Sequence, residues 1–121
     1  MTAHFYEEVL GFPLVLDRGG CRIYRVVGEA FLGFCERASA PKEPKGILFT
    51  LVTDEVDAWY ERLAAAEGPA GKLVDSPPVV NETYGIYHFF ARDPNGYVIE
   101  VQHFLDAGWV GREVSSVKSE V

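Results

Sequence analysis

The run from Tyr87 to His103 constrains the fold most, because its central turn sets the pairing of two strands. Asp93-Pro94-Asn95-Gly96 has Asp at the first turn position, Pro at the second and Gly last. Pro presets φ at about −65° and Gly accepts positive φ, so the tetrapeptide predicts a type I turn closed by a glycine bulge. In that register Asp93 lies opposite Tyr97, Phe90 opposite Glu100 and His88 opposite Gln102. Side chains alternate along a strand. His88, Phe90, Val98, Glu100, Gln102 and Phe104 then share one face, and Tyr87, Phe89, Ala91, Ile99, Val101 and His103 share the other. The second face is greasier and is expected to pack on helices, with His103 in a structural role there. The first mixes polar and apolar groups, as the wall of a ligand site does. It also holds Glu100 in mid-strand, and a carboxylate there is costly unless it is solvated, paired or metal-bound.

Composition bounds the function classes. A chain of 121 residues is one domain's worth, and 48% hydrophobic content with 13% aromatics supports a packed core. The net charge of −7 argues against nucleic acid and against an anionic membrane surface. No apolar span of about 20 residues is present in these 121 residues, and no signal peptide is expected. Cys21 and Cys35 are too few for a disulfide framework and form no Cys-x-x-Cys pair, so the expectation is free thiols in a reducing cytoplasm.

The chain repeats itself. Phe5, Tyr6 and Glu7 match Trp59, Tyr60 and Glu61 at an offset of 54, and both stretches carry helical periodicity. Gly11 and Gly68 are candidate C-caps, and Asp54 a candidate N-cap for the second helix. Strands are expected at Pro13–Leu16, Cys21–Val27 and Ala30–Glu36 after the first helix. After the second they are expected weakly at Lys72–Val74, then at Ile86–Arg92 and Tyr97–Phe104. Gly46–Thr53 reads as a strand before the second helix, and nothing comparable precedes the first. The sequence therefore reads as a single domain: an incomplete first module over residues 1–36, a linker over 37–45, a second module over 46–105 and a tail over 106–121. Two accounts of the incomplete module are open. Either the natural chain starts upstream, which is favoured, or the module has lost a strand; the segment Gly111–Val121 is a weaker candidate for the vacant edge. The stretch Gly68–Gly85, with Pro77-Pro78, reads as a long irregular loop, and the tail after Asp106 as partly disordered.

Paired modules with FYEEVLGF in the first helix and DPNGYVIEVQ in the last hairpin resemble the vicinal oxygen chelate superfamily over roughly residues 2–105. That group includes glyoxalases, extradiol dioxygenases, fosfomycin-resistance thiol transferases and bleomycin-binding resistance proteins. The resemblance implies an α+β fold: two β-α-β-β-β modules forming a curved mixed sheet around a cavity, the first module lacking its first strand. It implies a homodimer, and a divalent metal held by ligands from the first and last strands of the modules. Glu100 matches the carboxylate ligand of the last strand. Leu48 stands where the enzymes often carry His, and Gly33 where glyoxalases carry Glu, so only Glu100 fills a readable metal position. Catalytic zinc needs three protein ligands and hard ions need several oxygens. The first expectation is therefore a small-molecule-binding protein with a degenerate metal site and no cofactor, taking an apolar or aromatic ligand. The alternative is a lyase, thiol transferase or dioxygenase acting on vicinal oxygens through one divalent ion (Fe, Mn, Ni or Zn), with Glu100 as ligand and a further donor in the unseen N-terminal strand.

Ligand contacts are expected from His88, Phe90, Gln102, Thr50, Leu48, Cys35 and Tyr84. His88 and Glu100 form an acid–base dyad if they lie within hydrogen-bond reach. The plainer reading leaves Glu100 bonded to Tyr84, Tyr24 or Arg22, with Phe90, Phe31 and Tyr84 as core and Cys35 as inert packing. His4 reads as a surface residue, Trp59 as core and Trp109 as an anchor of the tail.

Overall fold

The computed structural model describes residues 1–38, 45–68, 71–105 and Val117. The linker beyond Arg37 and the tail, with Trp109, lie almost wholly outside them. The first helix runs as α1 (Thr2–His4) and continues as a π-turn over Phe5–Val9, closed by the Leu10 amide donating to the Phe5 carbonyl at 2.8 Å. Gly11 follows at φ 75°, and the Phe12 amide returns to the Tyr6 carbonyl at 2.9 Å. Gly11 is thus the left-handed stop that the sequence indicates.

Strands β1 (Leu14–Asp17), β2 (Cys21–Val27) and β3 (Ala30–Cys35) form an antiparallel sheet in that order. Strand β4 (Leu48–Val52) leads into α2 (Val56–Ala64). Short strands β5 (Glu67–Gly68), β6 (Gly71–Lys72) and β7 (Val79–Asn81) precede β8 (Ile86–Arg92) and β9 (Val98–Phe104). The second sheet has the order β4-β9-β8-β7, with β4 parallel to β9 and the other pairs antiparallel. The class is α+β with an open, curved, mixed sheet. By position β9 corresponds to β3, and the counterpart of β4 is absent from the described residues, where β3 ends its sheet.

Three local expectations change. The stretch Gly68–Gly85, expected to be irregular apart from a weak strand at Lys72–Val74, holds the end of β5 and all of β6 and β7, and Val74 forms a bridge to Ala91, because β8 still offers backbone groups on its outer side. Gly68 pairs in β5, and α2 stops earlier, with Ala65 as its C-cap. At the other end Glu55 is the N-cap residue, not Asp54, and the Thr53 hydroxyl accepts the Glu55 amide at 3.0 Å.

One core serves both modules. Helix α2 buries Val56, Trp59 and Leu63 on one stripe. The first helix adds Phe5, Tyr6 and Leu10, β2 adds Tyr24 and Val26, and the second sheet adds Phe89, Ala91, Ile99 and Val101. The rings of Trp59 and Phe12 meet at 6.3 Å, edge to face. The Trp59 indole N–H donates to the Val117 carbonyl at 3.1 Å, and the Thr53 hydroxyl donates to the same oxygen at 2.5 Å. Val117 therefore docks where β4 meets α2, not on β3.

The two related helices also touch. Arg62 of α2 donates through Nε to the Val9 carbonyl at 2.6 Å, satisfying an acceptor at the end of the first helix. The Tyr6 hydroxyl donates to Asp93 at 2.9 Å in the core. Burial first, then the Asp93 charge, pushes the Tyr6 phenol well above its ordinary range. Asp93 also accepts the Asn95 and Tyr97 amides at 2.9 and 2.8 Å, so one carboxylate ties the β8–β9 turn to itself and to the first helix.

Candidate functional site

The hairpin turn forms as its residues dictate. The Gly96 amide donates to the Asp93 carbonyl at 3.0 Å, and Gly96 has φ 91°. Phe90 then pairs with Glu100 and His88 with Gln102. The helix-facing side is buried at Phe89, Ala91, Ile99 and Val101. Tyr87, on that side, donates to Asp57 of α2 at 2.6 Å, and this bond, more than burial, raises its phenol's pKa. His103 departs from expectation and is exposed, because α2 spans only part of the sheet.

The opposite face carries the candidate site. Parallel pairing sets Thr50 of β4 beside Glu100, Leu48 beside Val98 and Val52 beside Gln102. Strand β7 sets Val79 beside His88. His88 Nδ1 lies 2.7 Å from Glu100 Oε2, with 9% of the His88 side chain and 12% of the Glu100 side chain exposed. Thr50 Oγ1 donates to the other carboxylate oxygen at 3.4 Å. The Phe90 ring meets the imidazole edge to face at 5.1 Å. Leu48, Val79 and Phe90 around this pair are 50%, 57% and 46% exposed. A nearly buried polar pair thus sits among apolar side chains that nothing in the single chain's described residues covers.

Other expected contacts lie elsewhere. Tyr84 is 74% exposed in the turn before β8. Tyr24 and Arg22 do not reach Glu100. They bond Glu7 of the first helix at 2.8 and 3.0 Å, since both project toward that helix. Burial and then Glu7 raise the Tyr24 phenol. Arg22 and Tyr24 line a cavity of about 810 Å³ between the first sheet and the β8–β9 turn, away from His88 and Glu100. Phe31 is exposed under the guanidinium of Arg25, which lies 4.8 Å from its ring centre. Cys35 shares the face of Gly33, yet it is no free thiol. It stands opposite Cys21 across the β2–β3 ladder, and the two form a disulfide. Direct cross-strand pairing, which residue spacing does not disclose, overturns the free-thiol expectation. It also removes the cysteines as an argument for a reducing compartment. Val79 is a neighbour of the site that sequence reasoning missed, hidden behind Pro77-Pro78.

Among the described residues the expected ligand positions do not make up a metal-binding set. His88 and Glu100 supply two donors and are bonded to each other, Leu48 has no lone pair, and Gly33 has no side chain. Among the described residues no three His, Cys, Asp or Glu side chains converge.

Residues 1–101 match the family described as the Glyoxalase/Bleomycin resistance protein/Dioxygenase superfamily. The chain belongs to this superfamily. The crystal structure of a lactoylglutathione lyase from Agrobacterium tumefaciens is 28% identical, with 89% of this chain and 86% of that one covered at a TM-score of 0.64. A glyoxalase-related enzyme from Fulvimarina pelagi is 21% identical and covers 97% of this chain and 86% of its own, at 0.71. A bleomycin resistance determinant encoded on the transposon Tn5 is 22% identical and covers 85% and 86%, at 0.66. These last two likenesses speak to the superfamily fold alone. No curated protein matches the chain. Among the described residues no helix is long and apolar enough to cross a membrane.

Proposed function

We propose that this superfamily member binds a small apolar or aromatic molecule on the His88–Glu100 face of its second sheet, without a metal. The observation that carries the reading is the 2.7 Å pair, nearly buried at the centre of a half-exposed apolar surround. A ligand laid across Leu48, Phe90 and Val79 removes apolar area from water, at about 25 cal/mol per Å². The polar pair orients it. A second copy of the chain, closing the open face into a pocket, completes the proposal. Exposed apolar patches of this kind mark interaction sites.

Chemical-shift mapping with small naphthalenes tests it. The expected result is perturbation of β4, β8 and β9 amides around Thr50, Phe90 and Glu100, weakened by Phe90→Ala and by His88→Ala. Shifts confined to the cavity beside Arg22 and Tyr24 would oppose it.

A second reading, a metal-dependent lyase, thiol transferase or dioxygenase, is favoured by the position of Glu100 on the last strand. It needs donors beyond His88 and Glu100.

A further inference from the structure

The hydrogen bonds around Glu100 select the chemistry of the ligand. This step rests on the binding face just proposed. Glu100 offers one carboxylate oxygen to His88 Nδ1 at 2.7 Å and the other to Thr50 Oγ1 at 3.4 Å. A carboxylate only accepts hydrogen bonds, so Nδ1 carries the proton in this pair, and in the neutral ring Nε2 holds the lone pair. Among the described residues Nε2 makes no hydrogen bond of its own. Yet among those same residues no fully buried side-chain nitrogen or oxygen lacks a partner. Nε2 is therefore the point where the otherwise buried imidazole reaches the open face. Phe90 fixes the ring from the side, its centre 5.1 Å away.

We infer that His88 Nε2 is a preorganised hydrogen-bond acceptor, and that the ligand is an aromatic molecule bearing a hydroxyl, a phenol or an enol, whose O–H donates to it. Glu100 is the positioning residue. An aromatic ring lying over Phe90 and Leu48 brings an attached hydroxyl onto the imidazole. An ether of the same shape leaves Nε2 without a partner, and a buried acceptor without a donor is costly.

Two measurements on the native protein test this. In nitrogen-15 NMR of His88 in the free protein, the expected neutral tautomer has Nδ1 protonated and Nε2 bare; the opposite tautomer, or an imidazolium with both nitrogens protonated, would overturn the inference without reference to any ligand. Affinities for 2-naphthol and 2-methoxynaphthalene are then compared. The expected preference for 2-naphthol is about tenfold, the scale of one net hydrogen bond. Glu100→Gln should shrink it severalfold while 2-methoxynaphthalene still binds, because a carboxamide serves either tautomer. Equal affinities in the wild type would sink the hydroxyl selection and leave the apolar binding face standing. Failure of both probes to bind would overturn the face and the inference together.

Discussion

The two sheets differ in what flanks their last strand. In the second sheet β9 runs between β4 and β8, so Glu100 has Thr50 on one side and the His88 strand on the other. In the first sheet, among the described residues, the corresponding β3 has only β2, and the matching position is Gly33, which faces Ile23 and little else. In the second sheet the flanking strands supply hydrogen-bond partners to the Glu100 carboxylate. The first sheet is tied by the Cys21–Cys35 disulfide instead. The first sheet thus carries a covalent tie and the second a polar pair.

The largest effect tests whether the sheets stand or fall together. Trp59 is fully buried and touches Phe12 of the first module and Val117. Trp59→Ala should cost about 3–5 kcal/mol in urea denaturation, with hydrogen-exchange protection falling in both sheets at once. Loss confined to the second sheet would mean the modules have separate cores.

Next comes the disulfide. It closes a loop with a sequence separation of 14, and chain entropy for such a loop gives roughly 3 kcal/mol. Replacing both cysteines with serine should lower stability by about that amount and leave naphthalene binding on the second sheet intact. A change in binding would break the division between scaffold and site.

A sharper contrast is a pair of single changes at corresponding positions. Glu100→Leu orphans His88 Nδ1 and should cost about 1–3 kcal/mol. Gly33→Ala, whose new methyl would meet Ile23 Cγ1 at 3.4 Å, should stay within about 0.5 kcal/mol. Equal costs would deny that β9 alone holds a polar centre.

The smallest effect concerns the bond that joins the modules. Folding raises the Tyr6 pKa above its ordinary 10.0, so the folded state favours the protonated phenol. That contribution is complete below pH 10 and is lost as pH rises above it. At neutral pH Tyr6→Phe should cost about 1 kcal/mol. Above pH 10 the wild type should lose stability more steeply than Tyr6→Phe, read as urea midpoints against pH.

What was legible in the sequence followed from local rules. Asp93-Pro94-Asn95-Gly96 set the turn, the turn set the register, and alternation then placed His88, Phe90 and Glu100 on one face. Helix α2 was legible from Val56, Trp59 and Leu63, though its caps were not, because Thr53 acts two residues before the Glu55 amide it binds. Long-range partners were hidden. Nothing in the spacing of Cys21 and Cys35 shows that they face each other, or that Tyr6 and Asp93 meet across the modules. Strand β7 was masked by prolines, and it forms because β8 has backbone groups to satisfy. For the site, pattern gave the face, and only the folded chain gave the 2.7 Å contact.

The most direct test of a metal-free polar centre is elemental analysis of protein purified without a histidine tag, run beside Leu48→His. The expected result is a wild type with metal far below one equivalent per chain, and measurable Ni or Zn uptake by the Leu48→His variant, whose new imidazole would join His88 and Glu100. A full equivalent of Fe, Mn, Ni or Zn on the wild type would contradict this, and would make Glu100 a metal ligand with donors that the second sheet alone does not supply.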